Sequence, residues 1–460
     1  MVNPTAVESS VVLDTQVGRG DKFGEVSVVY IMSSVPLITL LLGNRVGKAL
    51  GGPEPAPVRN PQTTMTNPPL PPEILDSVID FLHDQPETLQ QCCLVSKSWI
   101  PRTRRHLFAD IKFHSASDIE SWKKTFLDVT NSPARHARTL FVGCPQLVTA
   151  SDAEEGGWIR AFSGVASLDV DNGDQDDSEV SLAPFYRFAP TLKSLCVYAI
   201  RLPHPQVFDF IYSLPLLEDL SLTGYNQQSG IDGDPQGPQT LIPSTSPSLT
   251  GFLDLAILGG VEIVARQLLD LPNGPHFRNL KFLLDRAEDI RWITELMIAC
   301  SRTLTSLDIT CSFYRTSVRI CVRTGSSMLF PVRKEPATVD LSKVTRLRDA
   351  VFRPGSKTVD WITMALQTIT PEHRDLRQIS VYLPYHLTHL RVGANSGRYL
   401  EEETSREWVD LDHFLVQFWE LRSIRPRVGC ARQGEEGQNV EHSIGFLLPE
   451  ATKRGIIDSI

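Results

Sequence analysis

The sequence is poor in cysteine and has no excess of positive charge. Its 460 residues include eight cysteines, and no two of them form a C-x-x-C pair. This scarcity argues against a disulfide framework or a structural zinc site and predicts buried thiols in a reducing compartment. Acidic residues outnumber Lys and Arg by 54 to 45, for a net charge of -9. Because no global positive field attracts phosphate backbones, we do not expect nucleic acid to be the partner.

Motifs of catalysis and metal binding are also missing. The sequence has no G-x-S-x-G elbow and no H-E-x-x-H helix. Residues 43–49 are one residue short of a phosphate-binding loop and end in Ala49, where the magnesium-binding hydroxyl belongs. The acidic segment 169–179 has Gly173 at a ligand position of a calcium loop, so we interpret it as a solvated turn. We predict no catalytic residue, no metal site, no cofactor and no intrinsic enzyme activity.

Residues 1–65 form a Pro-rich extension that contains one apolar stretch, residues 26–44. The stretch is near the length that crosses a bilayer, but Pro36 lies in its middle and Glu25 precedes it. We therefore expect a cytoplasmic or nuclear protein, and a membrane-anchored form is the alternative. Met65 lies shortly before the first recognisable domain, which suggests the hypothesis that translation begins there.

Residues 66–110 have the pattern of a small helical domain. Apolar residues at 74, 75, 78, 79 and 82 have the spacing of one helical face, and prolines precede them. A second apolar face runs from Leu89 to Trp99, and Pro101 is expected to interrupt it. Two or three such helices bury little apolar area, so we expect this domain to need a partner.

The same residues carry a family resemblance. Leu-Pro-x-Glu-Ile-Leu at 70–75, Leu-x-x-Cys-Cys-Leu-Val-Ser-Lys-Ser-Trp at 89–99 and Arg-His-Leu-Phe at 105–108 resemble an F-box, particularly the F-box-like form common in fungi. The resemblance implies three helices that dock on a Skp-family adaptor and, through it, on a cullin-RING ubiquitin ligase. It assigns adaptor docking or the motif core to seven residues: Leu70, Pro71, Ile74, Leu75, Leu94, Val95 and Trp99. The alternative is that Trp99 and Ile79 only close the core of the helices themselves.

The remaining chain, residues 111–430, repeats the pattern apolar-x-x-apolar-x-apolar. Copies begin at 137, 165, 192, 217, 280, 304 and 376, with weaker copies at 249 and 347. Most intervals are near the leucine-rich-repeat period, and an insertion is expected before Leu347. Helical stretches at 205–214 and 290–298 are expected to cover the convex side. Residues 431–460 are predicted to form a loop and a closing segment.

The predicted fold class is therefore an α/β repeat: a short three-helix F-box module followed by an irregular leucine-rich-repeat-like solenoid. An ordinary α/β domain is the alternative for the second part. Candidate substrate contacts on the concave strand face are Tyr198, Thr223 and Thr310. The expected function is the substrate-recognition subunit of a Skp-cullin-F-box ubiquitin ligase, with an unidentified substrate protein. A protein-binding scaffold that acts without cullin is the second hypothesis.

Overall fold

The chain divides into two units, residues 1–69 and 70–460. The computed structural model describes parts of the second unit: residues 71–171, 181–202, 205–226, 247–258, 261–286, 288–311, 339–354, 359–383, 404–422, 426–430, 447–456 and 458–459. The predictions for the apolar stretch 26–44, for Met65 and for Leu70 lie outside the described residues. No helix among those residues is long and apolar enough to cross a bilayer.

Three short helices open the described chain. They are α1 (Pro72–Phe81), α2 (Pro86–Val95) and α3 (Ile100–Leu107), and each has a proline in its first turn, where the missing N–H has no intrahelical partner to lose. Helix α2 ends because Ser96 is extended. Pro101 therefore lies in the first turn of α3, and the prediction that it interrupts a helical face was wrong.

Twelve strands of the described residues form one sheet in which spatial order equals chain order and every neighbouring pair is parallel. The strands are β1 (Asp110–Phe113), β2 (Thr139–Val142), β3 (Ser167–Asp171), β4 (Ser194–Leu202), β5 (Asp219–Asn226), β6 (Phe252–Leu258), β7 (Asn279–Leu284), β8 (Ser306–Cys311), β9 (Asp349–Arg353), β10 (Gln378–Leu383), β11 (Pro426–Cys430) and β12 (Asp458–Ser459). Each crossover therefore carries the chain back to the end of the sheet where the strands begin and one strand further along. This is a solenoid-like α/β arrangement.

The crossovers change in kind along the array. Short 3-10 turns accompany the helices α4 (Ala116–Thr125) and α5 (Ala150–Ala153) in the connections before β4, whereas the described parts of the later connections contain α-helices and no 3-10 turn. The helices in the later crossovers are α6 (Pro205–Tyr212), α7 (Glu262–Leu269), α8 (Asp289–Ala299), α9 (Asp360–Gln367), α10 (Thr404–Arg422) and α11 (Pro449–Lys453). The helices predicted within 205–214 and 290–298 are confirmed by α6 and α8.

The core lies between one face of the sheet and the crossovers. In β3, Leu168 and Val170 are fully buried, and Val165 is buried in the turn before the strand. The equivalent leading residues at 137, 192, 217, 304, 347 and 376 are also buried. Because side chains alternate across a strand, this spacing stacks one apolar layer per repeat. The other face of the sheet carries the remaining strand side chains, and we call it the open face.

The repeat at β7 has a different register from the predicted one. Leu280 is buried, but Leu283 lies on the open face, and Phe277 fills the leading position. The predicted repeat motif Leu280-x-x-Leu283 was therefore wrong. Its first residue occupies the middle apolar position of the repeat, and the aromatic ring of Phe277 replaces the aliphatic residue found in most other copies.

Backbone hydrogen bonds also connect the turns that lead into the strands. The carbonyl oxygen of Arg138 accepts from the N–H groups of Ala166 and Ser167, at 2.8 and 2.9 Å. The carbonyls of residues 109, 166, 193, 251, 278, 305 and 348 accept in the same paired way from the next turn. We call this series the turn ladder. It aligns one residue of each of these repeats, just before the strand, along the edge where the strands begin.

Candidate functional site

The helices at residues 72–107 share a small core. Ile79 of α1, Leu89 and Cys92 of α2 and Thr103 of α3 are buried. The Thr103 hydroxyl donates to the Trp99 carbonyl at 2.8 Å, which ties the residue before α3 to the helix. This core is small, so polar contacts between helices also contribute to the arrangement.

Asp80 is the main polar contact between α1 and α3. Its carboxylate accepts from Arg102 Nε at 2.6 Å and from Arg102 Nη2, and its Oδ1 lies 2.7 Å from His106 Nε2. The hydrogen bonds from Arg102 and His106 hold the pKa of Asp80 well below its ordinary value. A paired, bidentate carboxylate of this kind connects the two helices with a specific geometry.

This contact predicts a pH dependence. Because the folded-state pKa of Asp80 is lowered, its stabilisation is present above the unfolded-state pKa and disappears as the pH falls through the folded-state value. We expect amide hydrogen exchange in α1 and α3 to be faster in Asp80→Asn than in the wild type at pH 6. The difference should shrink below about pH 4. An equal difference at pH 6 and at pH 2 would contradict this assignment.

Five large apolar side chains of α1 and α2 are exposed to solvent. The exposed fractions are 81% for Phe81, 68% for Val95 and 57% for Leu94, and Ile74 and Val78 are each half exposed. Ile74, Val78 and Phe81 follow one another on one face of α1, at helical spacing. We call these five residues the apolar surface. Exposed large apolar groups concentrated on two short helices indicate a binding surface.

The predicted adaptor-binding residues differ from one another in their exposure to solvent. Ile74, Leu94 and Val95 belong to the apolar surface, and Pro71 is exposed at the start of α1. Leu75 and Trp99 are half-buried. Leu70 lies outside the described residues.

Val78 and Phe81 were missed as surface residues. The sequence pattern placed Val78 on one helical face together with Ile79 and left Phe81 out. Residues 74, 78 and 81 have the spacing of a helical face, so a search for apolar residues on both faces of α1 detects this one.

The open face of the sheet is the second candidate surface. Tyr198, Thr223 and Thr310 all lie on it, with Tyr198 39% exposed and the two threonines half-buried. The chain bends directly after Tyr198, where Ala199 has a positive φ of 54° and the register with β5 shifts. This bulge changes the direction of the strand next to an exposed aromatic ring.

A row of polar side chains crosses the open face at one level of the register. The row consists of Asp169, Cys196, Ser221, Asp254, Lys281 and Asp308, on six successive strands. Lys281 Nζ lies 2.7 Å from Asp254 Oδ2. Arg353 Nη2 lies 2.9 Å from Asp308 Oδ2, and the Arg353 guanidinium lies 4.5 Å from the ring centre of Tyr382. Opposite charges on neighbouring strands hold these side chains in place.

Burial changes the acidity of this row. It raises the pKa of Asp308, and Arg353 and Lys281 oppose the rise. It also raises the pKa of Asp169, to which nearby Asp110 contributes and which Lys112 opposes. Burial raises the pKa of the Cys196 thiol to about 11, so this thiol is protonated and weakly nucleophilic at neutral pH. The row offers hydrogen-bonding groups and charges for recognition of a polar partner.

Within the part of the chain that the structure describes, no group of three or more His, Cys, Asp or Glu side chains is arranged to hold a metal ion. Comparisons of the chain with protein-family models and with curated proteins return no match.

Proposed function

We propose that this protein is the non-catalytic substrate-recognition subunit of a Skp-cullin-F-box ubiquitin ligase. In this proposal, helices α1 to α3 form an F-box-like module that docks on the Skp-family adaptor. The parallel array acts as a leucine-rich-repeat-like solenoid, and its open face holds the substrate protein. A separate ligase subunit supplies the chemistry.

The observation that supports adaptor docking most directly is the apolar surface. Three of its members, Ile74, Leu94 and Val95, occupy positions that the F-box resemblance assigns to adaptor docking or to the motif core, and all three are exposed instead of closing the helical core. Fully burying one such side chain contributes about 1.5 to 3 kcal/mol, and a complex needs several of them because association itself costs translational and rotational entropy.

The proposal that the array binds a substrate rests on its organisation. An extended sheet presents one side chain per strand at each register level, and the open face combines paired charges with the exposed ring of Tyr198. Surfaces of this kind bind proteins through many small contacts and a few aromatic or Arg anchors. Tyr198 and Arg353 are the anchors we propose.

Reconstitution tests the proposal. The purified chain, a Skp-family adaptor and a cullin-RING subunit are mixed and separated by gel filtration, and we expect all three to elute together. If the adaptor binds but the cullin is excluded, the second hypothesis, a scaffold that acts without cullin, replaces the ligase. If the adaptor does not co-elute at all, the F-box assignment is refuted.

A further inference from the structure

Seven cationic side chains lie on the turns that lead into strands β7 to β10. All seven are exposed, and we call them the basic edge: Arg278, Arg302, Lys343, Arg346, Arg348, Arg374 and Arg377. They form a local concentration of positive charge in a chain whose net charge is -9.

The turn ladder aligns part of this edge. Thr305 N donates to the Arg278 carbonyl, Arg348 N to the Thr305 carbonyl and Arg377 N to the Arg348 carbonyl, each at 2.8 Å. Three arginines therefore occupy four consecutive ladder positions, which are separated by the strand spacing of about 4.8 Å. Arg346 Nη1 also donates to the Arg302 carbonyl at 3.0 Å, which connects two neighbouring turns.

The cations of the basic edge are not neutralised within the described chain. No ion pair joins any of them to a described carboxylate, although Asp340, Glu372 and Asp375 occupy the same turns and Asp349 begins β9. An earlier ladder position behaves differently, because Lys193 Nζ lies 3.0 Å from Glu218 Oε1 of the next repeat. The later repeats lack this pairing and leave their positive charge available to a partner.

We propose that the basic edge binds an acidic segment of a partner protein. Arginine donors at regular spacing match carboxylate or phosphate groups along an extended acidic chain. The described turns of this edge carry no exposed large apolar or aromatic side chain. Single-stranded nucleic acid is usually held by stacking on aromatic rings, and a membrane surface by apolar insertion, so both fit this edge less well. The surface is separate from the apolar surface and does not depend on adaptor docking.

Fluorescence anisotropy with the full chain tests this. The probes are a Glu-rich peptide, a phosphoserine version, a Gln version of equal length and a single-stranded oligonucleotide. We expect binding of one or both anionic peptides, loss of that binding as salt rises from about 50 mM to about 500 mM, and no binding of the Gln peptide. The triple variant Arg278→Gln, Arg348→Gln and Arg377→Gln should bind at least about tenfold more weakly.

Two further variants complete the test. A second triple, Arg302→Gln, Arg346→Gln and Arg374→Gln, should show the same loss. The matched control is Arg266→Gln, Arg291→Gln and Lys453→Gln, which removes the same charge from the helical side and should bind like the wild type. Equal affinities for all three triples, no peptide binding above the Gln level, or tighter binding of the oligonucleotide would each overturn the proposal. Adaptor co-elution should be unchanged in every variant, so a failure here is distinguishable from a failure of the ligase assignment.

Discussion

Replacing Leu94 and Val95 together with glutamate is expected to abolish capture of a Skp-family adaptor. Both side chains are more than half exposed at the end of α2, so the change adds charge without opening the core. Each apolar anchor at the centre of an interface contributes about 2 kcal/mol or more, and two charges placed there add a desolvation cost. The expected loss of affinity is at least about a hundredfold, measured by calorimetry with purified adaptor.

The matched control changes two exposed apolar residues of the array, Leu127→Glu with Leu216→Glu, and should leave adaptor affinity unchanged. A second double variant, Ile74→Glu with Val78→Glu, tests the α1 face independently. If adaptor affinity is equal in the wild type and both surface variants while all chains melt alike, the apolar surface is not the docking site.

The second large effect concerns the stability of the array. Leu280→Ala should lower the free energy of unfolding by about 2 to 5 kcal/mol, because Leu280 is 1% exposed and its removal leaves a cavity between repeats. Leu283→Ala, three residues later on the same strand, should cost less than about 1 kcal/mol because that side chain lies on the open face.

Urea denaturation of the two variants measures this difference directly. The pair is chemically identical, so the comparison isolates burial. A similar loss of unfolding free energy in both variants would contradict the register of β7. It would support the predicted repeat motif, in which both leucines face inward.

Much of the array could be predicted from the sequence because its signal is geometric. The leading residues at 165, 192 and 304 recur before alternating apolar positions, and those positions became buried strand residues. Helices α6 and α8 follow from long apolar segments between the strands. The alternation of apolar residues in a strand and their periodic recurrence on a helical face can both be recognised in a single sequence.

Other features depend on contacts between distant residues. Lys281 and Asp254 are 27 positions apart in the sequence, so their ion pair can be predicted only when the register of β6 and β7 is known. The contact of Asp80 with Arg102 likewise can be predicted only when the angle between α1 and α3 is known. The turn ladder is made by backbone atoms, so it has no side-chain signature. Phe277 was overlooked because an aromatic residue replaced the expected aliphatic one.

Affinity purification of the tagged full chain from cells, with quantitation of co-purified proteins by mass spectrometry, tests the ligase assignment most directly. The proposal predicts that adaptor and cullin are both recovered with the wild type. Both should be lost with the Leu94→Glu and Val95→Glu variant. Recovery of neither protein with the wild type, or undiminished recovery with the variant, would contradict it.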